Sequence, residues 1–280
     1  MTPILWPAPA KLNLFLHVLG RRPDGYHCLQ SVFQFLDYGD ELSFDVRADG
    51  LIIRPEGAVG VSAEQDLVVR AARALQAASG TLLGADIRVI KRTPMGAGLG
   101  GGSSDAATTL IALNHLWQTG FSRDALAALG LELGADVPVF VHGIASWAEG
   151  IGENLTPVDL PEPCYAVIAP DVMVSTAAIF SAPELVRDHA PIRLDDFLHG
   201  AGGNDCTPVT CARYPEVAAA LAWLARTAPA RMSGTGGAVF AAFANQQSAA
   251  AAIAGIPKNW RGFVARGLNL SPLMAIIRAL

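Results

Sequence analysis

Apolar and polar residues alternate with a period of two in several segments of the first half of the chain, which predicts β-strands there. These segments are residues 11–18, 41–47 and 86–91, and a further strand is predicted at residues 31–36. Apolar residues spaced three or four apart predict helices over residues 66–78, 105–117 and 122–133. The apolar run Val137–Val141 is also predicted to be a strand.

The second half continues the mixture of the two periodicities. Strands are predicted at residues 164–169, 238–243 and 263–266, and helices at 176–180, 216–227 and 247–254. Between residues 150 and 163 the composition turns to glycine, proline and acidic residues, which is typical of a domain boundary. The sequence therefore predicts two α+β domains, residues 1–153 and 154–280.

Composition narrows the class of protein. Hydrophobic residues make up 51% of the chain and charged residues 16%, enough apolar surface for a sizeable core. The net charge of −5 argues against a nucleic-acid partner, which needs a basic face. No apolar stretch approaches the roughly 20 residues of a membrane helix, and the N-terminus lacks the pattern of a signal peptide. We therefore expect a cytoplasmic protein with no membrane partner.

The four cysteines are consistent with the reducing environment of the cytoplasm. Only Cys206 and Cys211 are close in sequence, and no histidine stands beside them at the spacing of a zinc site. Free thiols in a reducing compartment are the favoured interpretation and zinc is the alternative. No resident metal site is predicted.

The segment Pro94–Ala107 carries the strongest chemical signal. Five glycines and two serines occur within Gly96–Ser104, between a predicted strand and a predicted helix. Glycine lets the backbone approach a ligand closely, and the N–H groups of a helix N-terminus attract phosphate. Ser103 and Ser104 can cap that helix, or offer a hydroxyl to phosphate or its Mg²⁺. A phosphate-binding turn is predicted, formed by Pro94, Met95, Gly96, Ala97, Gly98, Leu99, Gly100, Gly101, Gly102, Ser103 and Ser104.

The turn alone does not identify the ligand. A Walker A loop requires a lysine after its last glycine, and none is present. Gly96-x-Gly98-x-x-Gly101 matches the dinucleotide pattern, but the expected acidic residue at the end of the next strand is missing. The His-Arg-Asp and Asp-Phe-Gly signatures of protein kinases are also absent. A kinase, a dinucleotide-dependent oxidoreductase and a non-catalytic nucleotide sensor all stay open at this point.

Three further segments hold polar residues suited to a site. Lys11 and Asn13 are two residues apart in a predicted strand and therefore share one face. Asp136 stands immediately before an apolar run, where a turn or capping role is the alternative. A second compact glycine turn spans Ser233–Gly237.

Taken in order, these segments resemble the motifs of the galactokinase, homoserine kinase and mevalonate kinase superfamily, the GHMP kinases. Within it they are most similar to the branch that phosphorylates 4-diphosphocytidyl-2-C-methyl-D-erythritol. The matching segments are 9–16 (PAKLNLFL), 24–27 (DGYH), 98–107 (GLGGGSSDAA), 134–140 (GADVPVF) and 233–236 (SGTG). The resemblance implies a ribosomal-protein-S5-like N-terminal domain and a ferredoxin-like C-terminal domain.

The resemblance also implies the reaction. Members of the branch transfer the γ-phosphoryl group of ATP, accompanied by Mg²⁺, to the 2-hydroxyl of the methylerythritol unit in the non-mevalonate route to isoprenoids. Asp136 would be the general base and Lys11 its cationic partner. Phosphoryl transfer needs alignment, charge stabilisation and a carboxylate that accepts the hydroxyl proton, so both assignments are chemically reasonable. A monomer and a homodimer are both compatible.

The expected substrate is a small molecule that carries cytidine diphosphate. By the same resemblance, Tyr26 and Phe180 would stack on the two faces of the base and His27 would contact its polar edge. Asn13 and Thr176 would hydrogen-bond the substrate. A sister kinase acting on homoserine, mevalonate or a sugar is the nearest alternative, and it should lack the DGYH segment.

One position departs from the branch. Asp66 stands where its members commonly have asparagine facing adenine, and an ionised aspartate cannot donate to a ring nitrogen. Lys91, just before the glycine turn, is the nearest cation for a nucleotide or ribose contact; a solvated lysine at a strand end is the alternative.

Overall fold

The computed structural model describes residues 4–55 and 61–279. Within them the strands are β1 (Trp6–Arg21), β2 (His27–Arg47), β3 (Ile52–Ile53), β4 (Gly84–Ile90), β5 (Ser146–Glu149), β6 (Asn154–Pro157), β7 (Cys164–Pro170), β8 (Ala230–Met232), β9 (Val239–Phe243) and β10 (Trp260–Leu268). The helices are α1 (Leu67–Ser79), α2 (Gly101–Leu116), α3 (Arg123–Leu133), α4 (Val137–His142), α5 (Thr176–Phe180), α6 (Leu194–Leu198), α7 (Thr207–Arg213), α8 (Pro215–Leu224), α9 (Gln246–Ile253) and α10 (Pro272–Ala279).

The long strand β2 organises the first half. Its 21 residues pair antiparallel with β1 along most of their length, and with β4 through residues 41–47. The strands predicted at 31–36 and 41–47 are therefore one continuous element. The strand before the glycine turn, β4, pairs antiparallel with β2 and parallel only with the two-residue β3, whereas a dinucleotide-binding fold has a mostly parallel sheet.

Local signals fix the first helix. Asp66 caps α1 with a hydrogen bond to the N–H of Val68 (2.9 Å), and Gly80 ends it in the left-handed conformation (φ 69°). The apolar face of α1, which includes Ala71 and Leu75, is buried. Helices α1 to α4 share one core with β1, β2 and β4.

The run Val137–Val141 is helical, so the strand predicted there is wrong. Pro138 lies in the first turn of α4, and Gly143 ends the helix in the left-handed conformation (φ 68°). All five residues of the run are buried. A short helix that is buried on every side shows the same unbroken apolar run as a buried strand, and periodicity cannot separate the two.

Helix α2 begins four residues earlier than predicted, at Gly101 instead of Asp105. Its N-cap is Gly100, which has a positive φ of 73° and no side-chain cap. The last glycines and both serines of the turn are therefore the first turn of the helix, and neither serine caps it.

The second half contains a four-stranded antiparallel sheet in the order β10-β7-β9-β8. In the chain these strands follow β7-α8-β8-β9-α9-β10 once the short helices α5 to α7 are set aside. This βαββαβ succession is that of a ferredoxin-like fold. Both α8 and α9 pack on this sheet, through residues such as Val217, Ala220, Ala249 and Ala252.

The two halves are joined through several elements. In β1, Leu16 and Val18 belong to the core of the second half, whereas Trp6 and Ala8 belong to that of the first. Helix α10 returns to the first core. The predicted boundary between residues 153 and 154 lies in the β5–β6 hairpin, and the division into two domains stays a prediction.

No helix in residues 4–55 and 61–279 is long and apolar enough to cross a membrane. All four cysteines are free thiols. Burial, with a further contribution from Asp205, raises the pKa of Cys206 to about 12. Over the same described ranges, no three metal-ligating side chains come together.

Candidate active site

A cavity of about 580 Å³ lies between the glycine turn, the middle of β1 and the late turn at Gly234–Thr235. Most residues singled out from the sequence line it: residues 94–103 of the turn, together with Lys11, Asn13, Asp66, Lys91, Asp136, Thr176 and Phe180. Ser104, Tyr26 and His27 are not among its lining residues. Segments distant in sequence thus form one wall around a space large enough for a nucleotide or sugar ligand.

The glycine turn presents its backbone to this cavity. Gly96, Gly98 and Gly100 have positive φ angles of 64°, 72° and 73°. The first helical hydrogen bond of α2 runs from the N–H of Ser104 to the carbonyl of Gly100 (2.8 Å). The three preceding N–H groups, those of residues 101–103, therefore have no acceptor within the helix, which makes this end of α2 suited to phosphate.

Contacts from distant segments hold the turn in place. The carbonyl of Gly98 accepts hydrogen bonds from Ser233 Oγ (2.9 Å) and Lys11 Nζ (3.3 Å). The carbonyl of Ala97 accepts from the N–H of Ala238 (2.8 Å). A Cβ on Gly98 would lie 2.3 Å from the carbonyl oxygen of Ser233, so no larger residue fits there.

Lys11 and Asp136 form an ion pair beside the turn. Lys11 Nζ lies 3.2 Å from Asp136 Oδ2 and 2.5 Å from Asn13 Oδ1. The lysine side chain is 3% exposed, whereas the aspartate side chain is 36% exposed. Asp136 is thus open to a ligand, while the lysine places a positive charge between the carboxylate and the glycine turn.

Asn13 and Thr176 both line the cavity. Asn13 Nδ2 donates to Ser31 Oγ (2.8 Å), and Asn13 is buried. Thr176, at the start of α5, shares a hydroxyl hydrogen bond with Thr235 (3.0 Å). The cavity brings both side chains to one surface, where they can contact the same ligand.

Lys91 is held by two carboxylates. Its Nζ lies 2.5 Å from Asp40 Oδ2 and 2.8 Å from Asp105 Oδ2. Burial acts to lower the pKa of Lys91, but the carboxylates of Asp105 and Asp40 outweigh it and the pKa is raised. Burial, with a contribution from Asp40 and against the effect of Lys91, raises the pKa of Asp105 to about 7. Lys91 is therefore a paired cation on the cavity wall and not a freely solvated one.

Asp66 has two partners of its own. Besides capping α1, it forms an ion pair with Arg54, and each side chain is 5% exposed. Burial lowers the pKa of Arg54. Arg54 Nε has no hydrogen-bond partner in the described part of the chain. The position at which the sequence departs from the family pattern is therefore one half of a buried charge pair.

His27 and Phe180 stack on each other, with ring centroids 5.1 Å apart and planes inclined by 23°. Tyr26 is 58% exposed in the loop between β1 and β2. Phe180 therefore lies on the cavity wall with His27 stacked against it, whereas Tyr26 is exposed and is not among the lining residues.

Sequence reasoning missed several residues of this site. Asp40 follows an apolar strand and Asp105 follows the double serine, so both stood at positions that could have been examined. Arg54 and Arg187 carried no comparable signal, because contacts between distant segments give them their partners.

The chain is similar to known proteins in family pattern, in sequence and in structure. The model described as "GHMP kinases N terminal domain" matches residues 66–144, and "GHMP kinases C terminal" matches residues 182–262. A protein of Nitrosococcus oceani named 4-diphosphocytidyl-2-C-methyl-D-erythritol kinase is 57% identical over 97% of each chain. A protein of the same name from Pseudomonas aeruginosa is 58% identical over 95% of each chain.

Solved structures of the same family are also similar to this chain. A crystal structure of a 4-(cytidine 5'-diphospho)-2C-methyl-D-erythritol kinase superposes with a TM-score of 0.81 at 33% identity, covering 94% of this chain and 99% of that one. The mevalonate kinase of Methanococcus jannaschii gives a TM-score of 0.70 at 14% identity, over 96% of this chain and 99% of that one. The second likeness concerns the fold alone.

Proposed function

The chain belongs to the GHMP kinase family, and on that basis we propose that it transfers the γ-phosphoryl group of ATP to the 2-hydroxyl of 4-diphosphocytidyl-2-C-methyl-D-erythritol. This is a step of the non-mevalonate route to isoprenoid precursors. The observation that carries the proposal is the Lys11–Asp136 pair, which lies in one cavity with the free N–H groups at the start of α2. Because this places a base next to a phosphate cradle, it suits phosphoryl transfer to an alcohol.

The reaction divides between two groups of residues. The N–H groups of residues 101–103 hold the phosphates and balance their negative charge. Asp136 accepts the proton of the substrate's 2-hydroxyl while the oxygen of that hydroxyl bonds to the γ-phosphorus of ATP. The bond between the γ-phosphorus and the β,γ-bridging oxygen breaks, which releases ADP. Lys11 stabilises the negative charge that develops between the two reactants.

ATP brings Mg²⁺ with it in this proposal. Mg²⁺ is commonly held by substrate phosphates and one or two protein oxygens, and it neutralises phosphate charge. Ser103, on the cavity wall, and the half-exposed Asp136 are the oxygen donors that fit such a role.

The cytidine end of the substrate lies toward α5. Phe180 offers a ring to the base, Tyr26 closes over the other face from its loop, and His27 contacts the polar edge. Arg54, Asp66 and Lys91 also line the cavity, and they are the residues assigned here to the nucleoside of ATP. A cytoplasmic location fits a consumer of ATP, and a monomer or homodimer would serve equally.

The proposal is tested by measuring ADP release from Mg·ATP with a panel of alcohols. We expect turnover with 4-diphosphocytidyl-2-C-methyl-D-erythritol, little with methylerythritol phosphate, which lacks the cytidine, and none with mevalonate, homoserine or galactose. Equal kcat/KM for the first two would contradict the assignment of Tyr26 and Phe180. Turnover confined to another alcohol would refute the proposed substrate.

The roles of the ion pair are tested by single variants. Asp136→Asn removes the base, and Lys11→Ala removes the charge that faces the transferred group, so each should lower kcat by about 10²-fold or more. Asp136 is half-exposed, so Asp136→Asn should keep the wild-type unfolding transition. Near-normal kcat in either purified variant would refute its assigned role.

A further inference from the structure

His17 and His189 form a stacked pair, with ring centroids 3.6 Å apart and planes inclined by 15°. Nδ1 of His189 lies 2.9 Å from Oδ1 of Asp205, and Oδ2 of Asp205 accepts from the N–H of Val18 (2.8 Å). His17 is 1% exposed, and its Nε2 accepts from the N–H of Gly203 (3.1 Å). None of these residues lines the catalytic cavity.

The bond from Gly203 fixes the protonation state of His17. A backbone N–H is a donor, so Nε2 of the imidazole offers its lone pair and the single ring proton is on Nδ1. In the described part of the chain, Nδ1 is buried and has no hydrogen-bond partner. A second proton on Nε2 would give a buried imidazolium whose two N–H groups both lack an acceptor, one of them facing the N–H of Gly203. The folded structure therefore holds His17 neutral.

The surroundings of His17 keep it neutral to lower pH than usual. Burial is the main cause of its lowered pKa, the charge of His189 adds to the effect, and Asp205 acts against both. The carboxylate of Asp205 already binds His189 and the N–H of Val18, so it cannot serve a charge on His17 without giving up a partner. Histidine ordinarily titrates at about pH 6.5, so His17 is protonated, and its bond to Gly203 lost, only on the acid side of that value.

Gly203 precedes the residue that holds the late turn. Nδ2 of Asn204 donates to the carbonyls of Met232 (2.9 Å) and Gly234 (2.8 Å). Gly234 lines the cavity beside Thr235, and the hydroxyl of Thr235 bonds to that of Thr176. The position of Asn204 therefore sets one wall of the cavity.

Contacts with β1 fix the position of Asn204 in turn. Backbone bonds join Leu16 to Gly203 (2.8 Å) and to Asp205 (3.0 Å), and His17 holds the N–H of Gly203. Three of the four residues 200–203 are glycine, so this stretch has almost no side chains of its own with which to anchor itself. Loss of the bond to His17 frees the chain on the side from which it reaches Asn204.

We propose that His17 is a positioning residue for the late turn: its neutral imidazole holds Gly203 and, through Asn204, the turn, and protonation of His17 releases this hold. The kinetic consequence rests on the proposed function. Because the late turn bonds to Thr176, which is assigned to the alcohol substrate, we expect KM for that substrate to rise at low pH. Asp136 and Lys11 are not held by this contact, so kcat should not depend on His17.

His17→Gln and His17→Leu separate the hydrogen bond from the titration. Glutamine offers an acceptor near the position of Nε2 and does not titrate, whereas leucine removes the acceptor. The ratio of KM for the alcohol substrate in wild type to that in His17→Gln should be near one at pH 7.5. It should rise by up to about tenfold at pH 5, the effect of one lost hydrogen bond. This ratio cancels the titration of the substrates and of Asp136. His17→Leu should have a raised KM at both pH values.

His199→Gln is the matched control, because His199 is an exposed histidine close by in the chain. Its KM should follow that of wild type at every pH. A ratio of wild type to His17→Gln that stays constant from pH 7.5 to 5 would overturn the proposal, as would a wild-type KM in His17→Leu at pH 7.5. If His17→Leu does not fold, the comparison with His17→Gln decides.

Failure of the proposed function is distinguishable from failure of this inference by NMR of nitrogen-15-labelled protein without substrate. Nε2 of His17 should be unprotonated at pH 7.5, and the amide signals of Gly203 and Gly234 should move with pH as His17 titrates. In His17→Gln that movement should be lost. This result in a protein that does not turn over the cytidine substrate would refute the substrate and support the role of His17. A Gly234 signal that does not follow the titration of His17 would refute the role, whatever the substrate.

Discussion

Buried charges beside the glycine turn have consequences at the scale of single residues. Asp40 and Asp105 share the one ammonium group of Lys91, so two carboxylates compete for one positive charge. Asp40 also accepts hydrogen bonds from the N–H groups of Arg92 (2.6 Å) and Thr93 (2.7 Å), whereas Oδ1 of Asp105 has no partner in the described structure. Burial is the main cause of the raised pKa of Asp105, about 7, and the charge of Asp40 adds to it against the effect of Lys91.

The raised pKa makes stability depend on pH in a definite direction. An unfolded aspartate titrates near pH 4, so between about pH 4 and 7 the folded chain binds a proton at Asp105 that the unfolded chain has lost. This residue therefore contributes stability at low pH that is lost as the pH rises toward 7, with a slope of at most about 1.4 kcal/mol per pH unit. Asp105→Asn should remove this loss of stability with rising pH, because asparagine does not titrate.

Urea unfolding at pH 5 and pH 8 checks this expectation. The free energy of unfolding of Asp105→Asn should improve relative to wild type as the pH rises, whereas that of Asp171→Asn, at an exposed carboxylate, should follow wild type at both values. A constant difference between Asp105→Asn and wild type at the two pH values would contradict the raised pKa.

At the scale of elements, the glycine turn has positions that require glycine and positions that do not. Gly100 has a φ of 73°, and a Cβ there would lie 2.7 Å from the ring of Phe140 and 3.1 Å from Cε of Lys11. Gly102 is inside α2, and a Cβ there would meet only Cδ1 of Leu67 at 3.5 Å, an ordinary contact. The backbone conformation and the space around it therefore require glycine at position 100, whereas position 102 can accept a larger residue.

Alanine substitutions at Gly100 and Gly102 distinguish the two kinds of glycine position. Gly100→Ala should lower the free energy of unfolding by about 2 kcal/mol or more, since left-handed backbone alone costs about 1–2 kcal/mol. Gly102→Ala should leave it unchanged or raise it by up to about 1 kcal/mol, because alanine is the better helix former. Denaturant unfolding of both variants measures this, and equal losses would show that the conformation at Gly100 is not decisive.

Helix α4 shows why one element escaped prediction. Its valines and phenylalanine favour a strand by intrinsic preference. Packing against α2 and α3 buries the segment on all sides and makes a helix the better solution. The consequence reaches the site, since Asp136 is the residue that precedes this helix and its carboxylate faces the cavity.

At the scale of the whole molecule, Ser233 ties the second half to the catalytic segments of the first. Its hydroxyl accepts from the N–H of Asn13 (3.1 Å) and donates to the carbonyl of Gly98 (2.9 Å), and the residue is fully buried. One side chain thus sets the late turn, β1 and the glycine turn relative to one another.

Ser233→Ala should therefore affect both stability and nucleotide binding. The N–H of Asn13 would be left buried without its acceptor, which costs about 1–3 kcal/mol in the free energy of unfolding. KM for ATP should rise at the same time, because the carbonyl of Gly98 loses one of its two anchors. Ser248→Ala, on the exposed face of α9, should change neither quantity; the same result for Ser233→Ala would remove its assigned role.

The sequence by itself determined the α+β class, most of the longer helices and strands, the phosphate-binding character of the glycine turn and the family. These follow from local periodicity, from the conformational freedom of glycine and from motifs in a fixed order, all of which are properties of short segments. Lys11, Asn13 and Asp136 could be singled out in the same way, as polar residues beside apolar runs.

Only the tertiary structure decided which residues became partners. The pairing of Arg54 with Asp66, the sharing of Lys91 by Asp40 and Asp105, and the hold of Arg187 on His27 all join segments that are distant in sequence. The helical form of Val137–Val141 and the continuity of β2 likewise depend on what packs around them. The physical reason is the same throughout: burial, ion pairing and the shift of a pKa depend on neighbours in space, and a linear pattern carries no information about which neighbours those will be.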